Sequence, residues 1–114
     1  MFDFQKLVVY QKAKAYNVEI KHFLSQGNFD RYTHSQLRRA SFSIMLNIAE
    51  GNSRFSNKDK RNFMVISRGS AFECVGVFDY LLATGEINQE KYDYFHAKLE
   101  ELSKMLYAII KSLE

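Results

Sequence analysis

Residues 88–113 read NQEKYDYFHAKLEELSKMLYAIIKSL, and this stretch sets the architecture. Tyr92, Phe95, Leu99, Leu102, Leu106, Ile109 and Leu113 recur at alternating steps of three and four. That is the heptad seam of a helix packing on its neighbours at a shallow angle. Asn88 is a good N-cap and Glu90 places a carboxylate in the first turn, against the positive end of the helix dipole. A helix over 89–113 follows.

Working back from it, Gly27, Gly51 and Gly85 each stand just past an amphipathic stretch, where a left-handed residue ends a helix. Thr33 with Gln36 reads as a capping box, and Ser56 with Asp59 as a close variant. These marks predict helices at about 7–26, 34–50, 57–84 and 89–113 in one domain spanning residues 1–114. Connections this short make consecutive helices antiparallel neighbours. The expected fold is all-α, an up-and-down antiparallel four-helix bundle with left-handed packing. The chain has no proline to interrupt long helices, and 46% of its residues are hydrophobic, enough to fill a core. No apolar run approaches a membrane span and no signal peptide is visible, so no membrane association is expected. The lone Cys74 suits a reducing cytoplasm.

Helix faces follow from 100° of rotation per residue. The first helix gathers Val9, Ala13, Tyr16, Ile20, Phe23 and Leu24 on one side, and like the last it keeps one wet face. The second aims Leu37, Ala40, Ile44 and Ile48 at the core. It also carries a second apolar arc of Phe42, Met45, Leu46 and Ala49, with a polar ridge that includes Arg39, Asn47 and Glu50 between the two. The third puts Phe63, Ser67, Ser70, Cys74, Val77, Phe78 and Leu81 inward, and Val65, Phe72 and Ala83 outward beside Gly69 and Gly76. Two glycines on an outer face permit close approach of another backbone, at about 1 kcal/mol each in helix propensity. Apolar surface on two adjacent helices predicts self-association. If that surface is covered, Arg39 needs a partner, and Glu73 is its expected mate.

Charge is uneven. Residues 31–70 hold Arg31, Arg38, Arg39, Arg54, Lys58, Lys60, Arg61 and Arg68 against Glu50 and Asp59, a net +6 within a chain of net +3. Residues 71–114 hold four lysines against eight acids, a net −4. The middle segment therefore predicts phosphate contacts from Arg38, Arg54, Lys58, Lys60, Arg61 and Arg68, to RNA or DNA, with no stacking platform or base-reading motif evident in the sequence. The other reading of the same surfaces is a protein-interaction scaffold that touches no nucleic acid.

No catalytic arrangement emerges, and no cofactor or small-molecule substrate is expected. Glu19-x-x-His22 and Asp93-x-x-His96, with Glu50 and Glu73, echo carboxylate-bridged metal bundles. However, Glu19 and His22 fall on the solvent side of their helix, and Glu50 would lie on the order of 20 Å from His22. No metal site is predicted. Cys74 sits on a core stripe as a small buried thiol, and Ser41, Ser43, Ser67 and Ser70 read as small packing positions.

The run Gln36-Leu37-Arg38-Arg39-Ala40-Ser41-Phe42-Ser43-Ile44, continued by Asn47-Ile48-Ala49-Glu50-Gly51, resembles the signature of a bacterial four-helix-bundle family. The family is known from intervening sequences in large-subunit ribosomal RNA genes, and some members are labelled ribosomal proteins. Gly69-Ser70-Ala71 with Glu73, and Leu7 to Ala13, extend the likeness over almost the whole chain. A relative is the accessory variability determinant of diversity-generating retroelements. The resemblance implies a ring-like homo-oligomer, most often a pentamer, with a basic surface, no enzymatic activity and an association with nucleic acid. The net-acidic last third departs from that relative's more basic balance.

Overall fold

The computed structural model describes Met1–Glu114. A short 3-10 helix, Asp3–Lys6, leads into four α-helices: α1 (Val8–Gln26), α2 (Arg31–Asn52), α3 (Asn57–Ala83) and α4 (Gln89–Ser112). Each packs on the next in sequence and α1 also meets α4, which closes an antiparallel bundle measuring 44 × 26 × 21 Å. No helix is long and apolar enough to cross a membrane.

Two of the expected caps are in place. Ser56 accepts from the Asp59 amide at 3.1 Å, and Asn88 from the Lys91 amide at 2.8 Å. The third differs. The cap of α2 is Asp30, which accepts from the Thr33 amide at 2.7 Å, so the helix begins three residues before the predicted start. Thr33 is a buried residue of the first turn. An aspartate outranks threonine at this position because its charge also opposes the dipole, and the amide donated by Thr33 holds the Asp30 carboxyl below its ordinary range.

The glycines divide differently from expectation. Only Gly85 has positive φ, at 77°. Gly27 is extended. Gly51 is no stop at all, because α2 continues through it to Asn52 and buries it. A Cβ there would lie 2.8 Å from Cβ of Phe63. Gly51 is glycine because α3 passes too close for anything larger.

The core follows the heptad logic with a shift in α3. Its buried positions are Met64, Ser67, Ala71, Cys74, Phe78 and Leu81, while the expected Phe63, Ser70 and Val77 are half-buried, one residue off that seam. In α4, Ile110 replaces Ile109 as the last buried residue, the drift that 3.6 residues per turn imposes on a seven-residue repeat. At one end the aromatics condense, with Phe78 stacked on Phe95 at 4.9 Å and Phe23 set against both.

Small polar residues hold the helices in register. Asn17 Nδ2 donates to the carbonyls of Ala13 and, across to α2, Ser41. Ser67 Oγ donates to the Ile44 carbonyl at 2.7 Å. Replacing Gly51 with alanine is expected to lower stability by about 1–3 kcal/mol, the overpacking cost exceeding the gain in helix propensity. Chemical denaturation of the variant against the wild type measures it.

Candidate nucleic-acid interface

The α2–α3 connection, Ser53–Ser56, is four residues long and tightly tied. The Ser53 amide and hydroxyl both donate to the Glu50 carbonyl, the Arg54 amide donates to the Gly51 carbonyl, and Ser56 caps α3. This brings Arg54, Lys58, Lys60 and Arg61 to one end of the bundle. Arg54 donates to Glu50 at 2.8 Å and lies 4.7 Å over the Phe63 ring. Arg61 pairs with Glu114 at 3.6 Å. Lys58 and Lys60 have no acidic partner and remain the free cations of the cluster.

The other two predicted phosphate contacts lie elsewhere. Arg38 precedes Arg54 by sixteen residues on α2, roughly 24 Å along the helix axis. It covers the Phe42 ring at 4.9 Å. Arg68 sits between Phe72 and Tyr107, 4.7 and 5.4 Å from the ring centroids, on the side of α3 facing α4. The six predicted phosphate contacts thus divide into a four-residue cluster at the turn and two separate aromatic-backed arginines.

One residue of this turn escaped the sequence reading. Phe55, between Arg54 and Ser56, is 102% exposed. Its signal was positional: an aromatic among serines and asparagines in a connection too short to fold back on the core.

The polar ridge proves to be the seam between α2 and α3, and the expected Arg39–Glu73 pair does not form. Glu73 accepts from Gln36 Nε2 at 2.6 Å, whereas Arg39 is exposed and unpartnered. Asn47 donates to the Ser43 carbonyl and hydroxyl, and Ser70 Oγ donates to Ser43 Oγ. Glu50 goes to Arg54. Short-range mates win because Arg39 projects outward, past the seam.

That seam separates two apolar strips. Of the arc Phe42, Met45, Leu46 and Ala49 on α2, Leu46 and Ala49 join Phe2 and Phe4 of the N-terminal segment around a hollow of about 680 Å³. Val65 and Phe72 belong to α3, Phe72 lining a hollow between α3 and α4 with Ala71, Val75 and Leu99. Gly69 and Gly76 are exposed, and a Cβ on either would meet nothing within 4 Å. Leu46 (53%) and Phe72 (56%) leave much of their surface to solvent. The hollows beside the two arcs lie on different sides of the α2–α3 pair.

No three His, Cys, Asp or Glu side chains gather in a metal-binding group. Glu19 does not face solvent as expected. It accepts from the Tyr94 hydroxyl and pairs with Lys98 at 3.6 Å, both on α4, and the phenol's pKa is raised by that bond. Burial pushes the Cys74 thiol up, and Ser41 Oγ lies 3.5 Å from its sulfur. Burial raises the Tyr16 phenol well above its ordinary value. A thiol held neutral and enclosed is a poor nucleophile. Ellman's reagent is therefore expected to leave Cys74 unmodified in the folded protein and to label it at the rate of global unfolding. Rapid labelling under native conditions would show an open site.

Residues 5–108 match the family model described as 23S rRNA-intervening sequence protein. Among solved structures, the chain is similar to a protein of unknown function from the S23 ribosomal protein family of Bacteroides thetaiotaomicron. They share 28% identity at a TM-score of 0.84, over 91% of this chain and 99% of that one. No curated protein matches the chain.

Proposed function

The chain belongs to the 23S rRNA-intervening sequence protein family, and from that premise we propose that it is a non-enzymatic, self-assembling bundle that associates with RNA through the cationic α2–α3 turn. The reading is carried by Lys58 and Lys60, which have no acid to neutralise them beside Arg54 and Arg61, in a family named for ribosomal RNA. The S23 ribosomal label of the similar Bacteroides protein agrees with it. Contacts are to phosphates, so affinity falls steeply with salt and depends little on sequence. A lone thiol with no disulfide partner supports a cytoplasmic setting.

Assembly supplies what one shallow cluster lacks. A two-fold contact needs one self-complementary patch, whereas two different strips on opposite flanks suit a head-to-tail contact that closes into a ring. The family likeness favours five copies. Each copy adds one α2–α3 cluster, and several weak clusters on one RNA bind with avidity. Arg38 and Arg68 each lie over a phenylalanine of these strips, Phe42 and Phe72.

The same strips favour a second reading, a protein-interaction scaffold without nucleic acid. Two measurements separate them. Reversing charge at Lys58, Lys60 and Arg61 to glutamate is expected to abolish binding of labelled RNA at low salt while leaving the assembled mass unchanged. RNA that fails to bind the wild type even at low salt refutes the first reading.

Light scattering is expected to give about 67 kDa for a pentamer of the 13.4 kDa chain. Phe42→Glu or Gly76→Glu is expected to reduce this to a single chain with helicity intact. A wild type that runs as one chain overturns the ring.

A further inference from the structure

Phe55 stands apart from the other phenylalanines. The chain has ten, and the remaining nine all touch a ring or a guanidinium. Phe2, Phe4, Phe23, Phe29, Phe78 and Phe95 pair with other aromatics. Phe42, Phe63 and Phe72 each lie under an arginine. Phe55 does neither, and its side chain is fully exposed. The turn does not need it, because the hydrogen bonds that tie Ser53–Ser56 come from backbone, from the Ser53 and Ser56 hydroxyls and from the Arg54 side chain. A bare phenyl ring with both faces open, projecting beside Arg54 and three residues from the unpaired Lys58, is a surface on which an aromatic ligand carrying negative charge can lie.

We infer that Phe55 is a stacking platform for an unpaired nucleobase, with Lys58 and Lys60 holding the flanking phosphates, and that the ligand is single-stranded nucleic acid, as in a loop or bulge. The inference rests on the nucleic-acid reading above and narrows it. Every base offers a flat π face, so stacking on one ring is tolerant of sequence, in keeping with the absence of base-reading side chains. A duplex hides its base faces inside its own stack, and an A-form helix would offer this turn only backbone and groove edges. The geometry therefore discriminates strandedness where the cations alone cannot.

The chain contains no tryptophan, so Phe55→Trp installs a single fluorophore at the proposed contact. Its emission is expected to be quenched by a single-stranded oligoribonucleotide, and not by the same sequence in a duplex. A deoxyribonucleotide strand of that sequence shows whether the sugar matters. Phe55→Ala is expected to weaken single-strand binding about ten- to a hundredfold, to leave duplex binding and the melting temperature unchanged, and to be rescued by tryptophan. Wild-type affinity in Phe55→Ala, or quenching by duplex alone, overturns the stacking platform while leaving nucleic-acid association standing. A change in assembled mass on Phe55→Ala assigns the ring to a subunit contact and likewise overturns it. Failure of the wild type to bind any of the three nucleic acids removes both inferences together.

Discussion

The bundle depends on how closely α3 lies against α2. Gly51 leaves no room for a methyl group, Ser67 reaches the Ile44 carbonyl, and Ser70 meets Ser43 hydroxyl to hydroxyl. Small side chains at these points bring two backbones together, and the hydroxyls satisfy themselves on groups already engaged within the helices. Dispersion attraction across such an interface strengthens steeply as the surfaces close. The tight pair then fixes what lies on either side of it. Its seam is polar, so the apolar surface of each helix is displaced to the outer flanks, and its short connection thrusts Arg54, Phe55 and Lys58 out at the end.

Much of the fold was legible because it rests on periodicity and on local hydrogen-bond chemistry. The α4 seam and the caps at Ser56 and Asn88 are set within a few residues of sequence, and the structure has them there. What was not legible depends on three dimensions. Gly51 looked like a helix stop because a close-packed glycine and a terminating glycine leave the same mark in sequence. Thr33 looked like a cap because Asp30 stood behind Arg31 and Tyr32, outside the amphipathic run. The burial of Met64 and Ala71 in place of Phe63 and Ser70 is one residue of rotation, less than helical phase fixes from sequence.

The candidate site was legible in composition and less so in arrangement. A run of eight cations over forty residues says that positive charge is present, not that it is gathered. Helix geometry spreads Arg38 from Arg54 and turns Arg68 toward α4. Arg39 and Glu73, plausible mates on a helical wheel, are separated because Gln36 reaches Glu73 first. Membership of the 23S rRNA-intervening sequence protein family accounts for the signature over residues 36–51, and the structure gives those residues physical roles: Ser41 and Ser43 bridge helices, Asn47 bonds back to Ser43 within α2, Gly51 admits α3, and Glu50 orients Arg54.

The closing of α1 on α4 has a bearing on kinetics. Each of the other interfaces between α-helices joins consecutive ones across a turn of a few residues, so little chain entropy opposes their formation. Only this contact unites the two ends of the chain, through Glu19 with Tyr94 and Lys98 and through Lys12 with Glu101. Topologies dominated by local contacts fold on the order of microseconds to milliseconds. A nascent chain can therefore assemble three helices in turn as they emerge and wait for the fourth to dock along the open side.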